Sequence, residues 1–584
     1  MKIFPRLPRQ WSVALTIVIL LSPMVASPQT EQSARKSVVL AALEEELSRA
    51  QRILKQKGEP APYLISYNVT ETQYNVVTAS RGALQNSDGG RTRLLDVDVR
   101  VGDYQLDNTH RGGGGYGYYG GGQAIPVSIE DDPHAIKSQI WMETDRRYKS
   151  AVERLIQIKA NQAIKVEEED KSADLSRETP QTAILPTVSV SLTRAERAEW
   201  EKKTREWSAL FNKFPDILES NVMLTAEAVN KYFVSTEGTT LQHGGTRSRI
   251  AISARTKAED GMELYRYETF DAQTIDRLPN ATVIVAAIEK MAQDLIALRQ
   301  APVIEPYTGP AILSGRASGV FFHEIFGHRI EGHRQKDEDG GQTFTKQVNK
   351  PILPAFISVF DDPTLPGLRL DEGIIDLNGY YQFDDEGVKT SRVTVVENGI
   401  LKNFLMSRSP IKGFPNSNGH GRKSAGLRAV GRQGNLIVES SQSVSEAGLR
   451  EMLIAECKKQ GKPFGLIFSD ISGGFTNTSR GGPQSFQVTP VMVYRVFTDG
   501  RPDELVRGVD LIGTPLVSFS KILATSDRQE VFNGVCGAES GWVPVSAVAP
   551  SILTAQIEVQ KKPKSNDRLP ILPPPGQEKP TEKQ

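Results

Sequence analysis

Cysteine is almost absent from this chain: two residues, Cys457 and Cys536, in 584. At most one internal disulfide is possible, so no disulfide framework organises the fold. There is no excess of charge of either sign, with 70 basic and 70 acidic side chains. The basic surplus usual among nucleic-acid binders is missing, and nucleic acid is not expected as a partner. No internal repeat and no coiled-coil heptad is present. Histidine is also scarce, at seven residues, and this makes its one close grouping informative.

That grouping is Phe322-His-Glu-Ile-Phe-Gly-His328. Neutral imidazoles are good zinc ligands, and zinc brings the pKa of a bound water towards neutrality. A carboxylate beside one ligand, here Glu324, can take a proton from that water and return it to a leaving amine. In the familiar His-Glu-x-x-His spacing the ligands at i and i+4 lie about 40° apart around an α-helix. Here the second histidine is at i+5, which a straight α-helix would place roughly 140° away. A one-residue π insertion would restore a shared face, and Gly327 permits it, so the spacing predicts a π turn within 322–329.

A third ligand is needed, and the residues leave it open. Cys457 recurs with Leu449 and Leu453 every four positions of a helical stretch, the pattern of a core residue. Cys536, in Asn533-Gly-Val-Cys-Gly537, reads as a glycine-flanked turn from which a thiolate can reach a metal. His333 and Glu331 compete locally, and spacing ranks Cys536 only marginally ahead of His333.

With its continuation Ile330-Glu-Gly332, the motif His323-Glu-x-x-x-His328 resembles the signature of the TldD/PmbA family of metallopeptidases. Further similarities follow in order: Phe383-Asp-Asp-Glu-Gly387, Glu397-Asn-Gly-Ile-Leu-Lys-Asn-Phe404, Asn418-Gly-His-Gly-Arg422, Ser472-Gly-Gly474 and Val535-Cys-Gly537. The resemblance covers roughly 305–560. It implies zinc held by His323, His328 and Cys536, with Glu324 as base. It also implies a homodimer, or a heterodimer with a sister subunit lacking the motif, around an enclosed chamber. His333 departs from the family pattern, where an acidic residue is expected, and is read as facing solvent. A Cys457–Cys536 disulfide would remove the third ligand, and the resemblance favours the zinc thiolate.

The start of the chain has the three-part build of a secretory signal peptide: Lys2, Arg6 and Arg9, an apolar run over 11–21, then Ser22-Pro-Met-Val-Ala-Ser27. The run is shorter than the about 20 residues a membrane helix needs. The expectation is an exported protein, periplasmic or secreted, with a leader at 1–27 and no stable span once it is removed; the competing reading is an uncleaved anchor. Export departs from the familiar members of the family.

The expected class is α+β, with an N-terminal α/β domain over 28–304, a C-terminal domain over 305–562 and a disordered, proline-rich tail over 563–584. Helical periodicity appears over 37–57, 144–165 and 281–298, and Thr193-x-x-Glu196 reads as a capping box. Strand alternation puts Leu95, Val97, Val99 and Val101 on one face, with Asp96 and Asp98 on a solvated one. The glycine–tyrosine run over 112–122 reads as a loop, since no Gly-Lys-Ser/Thr follows it. Asn398-Gly399 and Asp499-Gly500 mark hairpins, so the C-terminal domain is expected to be mostly antiparallel, a partial barrel carrying the metal helix, with Cys536 in a nearby loop. Gly473 and Gly474 allow close approach of an extended peptide, and Asn418, His420 and Arg422 offer donors to a substrate carbonyl or carboxylate. A catalytic part for Asp384 or Asp385 is the weaker expectation.

Together these features predict a zinc-dependent peptidase acting on unfolded or short polypeptides. Two rivals are a noncatalytic peptide-binding or envelope assembly factor with a structural metal, and a hydrolase of small amides.

Overall fold

The computed structural model describes residues 35–110, 124–162, 170–336, 341–371, 373–478, 486–513 and 515–562, with Leu569, Pro570 and Leu572. The expected leader, the run 112–122 and nearly all of the tail lie outside the described residues. The class is α+β, as the sequence predicts. Among the described residues no helix is long and apolar enough to cross a membrane.

Long antiparallel strands dominate the N-terminal part. Pro62–Ser80 pairs with Ala83–Val101, and on its other side with Glu219–Ser235, which pairs with Thr240–Lys257. Side chains alternate between faces with a period of two, and one face is apolar at both of its ends. At one end Val69, Val97 and Val99 pack with Leu40, Leu43, Ile136 and Ile140 from the helices Val38–Lys57 and Pro133–Gln162. At the other, Val77, Leu224 and Ile252 pack with Trp207 and Ile288 from Arg194–Ala209 and Ala281–Gln300. The Thr193–Glu196 capping box forms as expected.

The opposite face is covered by the C-terminal half. Asn68 and Asp96 stand opposite each other in register, and Asn68 stands opposite Phe233. Asp96 receives the Lys423 ammonium at 2.8 Å and the Gly426 amide at 2.8 Å. Phe233 packs on Phe383, and Lys231, next but one along the strand, pairs with Asp385. The reading of Asp96 as a solvated residue is therefore corrected: its strand is amphipathic, but the second face is covered by protein. Asp98 pairs with Arg100 at 2.8 Å.

In the C-terminal half the expected partial barrel closes. Tyr307–Leu313, Phe464–Thr476, Phe486–Phe497, Val509–Gly513 and Gly541–Lys561 each bond to the next, and the last bonds back to the first. One of these five pairings, the first with the second strand, is parallel. Asn398 and Gly399 take φ of 48° and 79° between the paired Glu397 and Ile400, the two left-handed residues of a tight hairpin. The helix Gly315–Ile325 leaves the barrel directly from Leu313 and buries Val320, Phe321, Phe322 and Ile325 against Phe486, Phe519 and Leu511.

Candidate metal centre

The metal-motif helix is anchored at its start and broken at its end. Ser314 caps it through the Ala317 amide, and the Glu530 carboxylate accepts the Arg316 amide at 2.8 Å. Phe326 makes the last bond of α type, to Phe322 at 3.0 Å, and Gly327–Arg329 then form a 3₁₀ turn. No π turn forms over 322–329, which corrects the prediction. The helix stops, so the angular argument for a straight helix lapses, and the two imidazole rings stand 5.2 Å apart. Gly327 lies against the Gln433 amide: a Cβ there would stand 1.9 Å from Gln433 Oε1, so that side chain would have to move.

The structure brings His323, His328 and Cys536 together. One donor atom from each lies within 4.8 Å of the others, and all three residues are buried. Cys536 Sγ is 3.3 Å from His328 Nε2. The expected loop for Cys536 is a strand instead: it lies on Ile522–Ala538, opposite Val543. Its flanking glycines serve packing, Gly537 lying under the Trp542 ring.

Burial pushes the Cys536 thiol up, yet the His328 and His323 rings outweigh it and hold the thiol well below its ordinary value. Burial likewise disfavours charge on His328, but Cys536 and Glu331 raise it well above the usual imidazole range. Two imidazoles and a readily ionised thiol form a donor set suited to zinc, leaving a coordination position open. His323 Nδ1 is buried with no hydrogen-bond partner among the described residues, as expected where a further group belongs.

Glu324 lies beside this group, its Oε2 3.9 Å from His328 Nε2. Gly474 backs onto it: a Cβ at 474 would stand 2.6 Å from Glu324 Cγ. Gly474→Ala should therefore displace the Glu324 side chain away from the three donors, which a crystal structure of the variant reads directly. Strand Phe464–Thr476 pairs with Tyr307–Leu313 only over 466–468. Among the described residues one edge of 472–476 thus has no neighbouring strand.

The other predicted residues serve the interior. His420 Nε2 meets Asp361 at 3.2 Å, Asn418 accepts the Met406 amide at 2.8 Å, and Arg422 donates to the Gln433 and Pro544 carbonyls. Asp384 accepts the Glu386, Val388 and Gly421 amides, and Asp385 that of Lys423. Cys457 is a core residue with Leu449 and Leu453, and both cysteines are free thiols. Burial pushes Cys457 up to about 11. In the folded protein it should stay unmodified by an alkylating reagent at pH 8 and react only in denaturant, which peptide mapping reads directly.

His333 does not face solvent. It is buried and contacts Glu539, beside Glu331. Glu331, His333 and Glu539 could geometrically hold a cation, but Arg334 bonds both carboxylates, at 2.7 and 2.9 Å, and Arg432 Nε stands 3.4 Å from Glu331. Two guanidiniums already balance the two carboxylates, so this is an ion-pair network beside the three-donor group. Its Glu331 Oε1 is 3.2 Å from His328 Nδ1. Arg432, Gln433 and Glu539 escape sequence reading; the only local signal is that Arg432-Gln433 sits between Gly431 and Gly434.

Residues 306–561 match the profile of the PmbA/TldA metallopeptidase C-terminal domain. A metalloprotease of Archaeoglobus fulgidus is 28% identical over 243 residues, 41% of this chain and 51% of the relative. A zinc metalloprotease TldD homolog of Saccharolobus solfataricus is 27% identical over 252 residues, 43% of this chain and 51% of the relative. The chain thus spans about half the length of the curated relatives it matches. The crystal structure of TldE from Thermococcus kodakarensis superposes with a TM-score of 0.58 over 89% of this chain and 100% of that one, at 12% identity, a likeness of fold alone.

Proposed function

Because the chain belongs to the TldD/PmbA family, we propose that it is a zinc-dependent peptidase hydrolysing unfolded or short polypeptides. The observation that carries this is the convergence of His323, His328 and Cys536 with Glu324 alongside. Zinc, held by those three side chains, would supply the Lewis acidity that polarises a scissile carbonyl and acidifies water. Glu324 takes the proton from the attacking water and passes it to the leaving nitrogen as the amide C–N bond breaks. The edge of 472–476 that has no neighbouring strand among the described residues, with Gly473 and Gly474, receives an extended peptide by main-chain pairing and sets its carbonyl beside Glu324. An extended chain is what such an edge accepts, which favours unfolded substrates.

Export to the periplasm or beyond, and assembly as a homodimer or with a sister subunit, complete the proposal. The leader pattern supports the first, and the fold shared with TldE the second. The test is mass spectrometry of an unstructured peptide mixture incubated with zinc-loaded protein, beside Glu324→Gln at equal zinc content. Fragments from wild type alone support the peptidase. Fragments from neither, with or without a sister subunit, favour a noncatalytic peptide-binding factor with a structural metal.

A further inference from the structure

Two segments far apart in sequence, the stretch 323–328 and the strand that carries Cys536, supply the three donors, and one short stretch, Arg432-Gln433, touches both. Gln433 Nε2 is 3.4 Å from the His323 carbonyl. Arg432 Nε faces Glu331 at 3.4 Å, whose Oε1 is 3.2 Å from His328 Nδ1. Arg432 Nη2 donates to the Cys536 sulfur at 3.2 Å and to the Cys536 carbonyl at 2.9 Å. Nη1 donates to Ser540 Oγ at 2.8 Å and to the Gly541 carbonyl at 3.1 Å, clasping the turn of the hairpin that carries the thiol. The whole side chain is fully buried, and its own amide is fixed by the His420 carbonyl at 2.9 Å.

We propose that Arg432 is a positioning residue of the metal centre, which holds the Cys536 thiolate through an N–H···S bond and, by way of Glu331, orients His328. This deepens the proposed function and rests on its reading of Cys536 as a zinc ligand. A guanidinium is needed because its planar fork presents donors in several directions at once; a lysine ammonium is a single point and cannot reach sulfur, carboxylate and turn together. Outer partners of this kind set ligand orientation and basicity, and their loss typically weakens metal binding 10–100-fold. A charge-assisted bond to sulfur also lowers the energy of the sulfur lone pair, which makes its effect visible in a spectrum.

The simpler alternative is that Arg432 only pins the hairpin turn. Ser540→Ala separates the two, since it removes one turn contact and leaves the sulfur contact in place. Wild type, Arg432→Lys, Arg432→Gln and Ser540→Ala are loaded with cobalt(II) in place of zinc. The thiolate-to-cobalt charge-transfer band is recorded, zinc affinity is measured by chelator competition, and folding is followed by circular dichroism. The expected result is a band that moves to longer wavelength in both Arg432 variants, with zinc affinity reduced ~10–100-fold, and stays in place in Ser540→Ala. If Arg432→Gln does not fold, Arg432→Lys, which keeps the charge, decides. A wild-type band unchanged in the folded Arg432 variants, or moved equally in Ser540→Ala, overturns the inference and leaves the peptidase reading standing. Cobalt uptake by wild type with no thiolate band overturns the ligand assignment of Cys536 itself, and this inference with it.

Discussion

Glu324→Gln is expected to retain the zinc content of the wild type and to cleave an unstructured peptide about 10²–10⁴-fold more slowly. The side chain stands next to the three donors without belonging to them, its oxygen 3.9 Å from His328 Nε2. Glutamine keeps the shape and the hydrogen-bonding reach of glutamate but cannot accept a proton, so the change isolates proton transfer from packing. Metal analysis and peptide mass spectrometry on the same preparation give the result. Loss of zinc would make Glu324 a ligand instead of a base, and undiminished cleavage would remove it from the chemistry altogether.

Glu331→Gln should destabilise the protein by about 3–5 kcal/mol, the usual consequence of breaking a buried ion pair from one side. Glu331 is fully buried between Arg334 at 2.7 Å, Arg432 at 3.4 Å and His328 at 3.2 Å. Burial disfavours the carboxylate, yet Arg334 and His328 hold it down to about 2, well below its ordinary range. Neutralising it leaves two buried guanidiniums without that carboxylate charge, while Glu539 still bonds Arg334 at 2.9 Å. The exposed pair Arg450–Asp503 offers the contrast, since Asp503→Asn should cost no more than about 1 kcal/mol. Denaturant melts of both variants beside wild type make the comparison, and equal losses from the two would mean that the buried network adds nothing to stability.

Patterns governed by near neighbours were legible in the chain. Leu40, Leu43 and Leu47 recur on one face of a helix and bury there, Thr193 and Glu196 cap as their spacing demands, and Asn398-Gly399 turns a hairpin. The errors arose where a distant segment decides the outcome. Asp96 alternates as a solvent-facing residue should, but Lys423 covers it. His333 looks like a surface departure from a family pattern until Glu539, in the turn of a hairpin distant in sequence, is placed against it. The π turn was a sound remedy for i+5 spacing on an intact helix; packing of Gln433 over Gly327 accompanies a helix that ends instead.

By itself, then, the sequence determined the chemical repertoire: two imidazoles and a carboxylate within six residues, a scarcity of cysteine that left two thiols to choose between, and a family likeness carried by ordered motifs. Local spacing could go no further, because donor atoms from residues 323, 328 and 536 meet only after a barrel has closed and a hairpin has been laid beside the helix. The tertiary structure decided which thiol stands at the site, sending Cys457 into an apolar cluster where ionisation is opposed and Cys536 between two histidines where it is favoured. It also decided what surrounds the donors. Arg432, Glu331 and Arg334 act through Coulombic and hydrogen-bonding contacts that fall off within a few ångströms, and chain distance says nothing about such proximity.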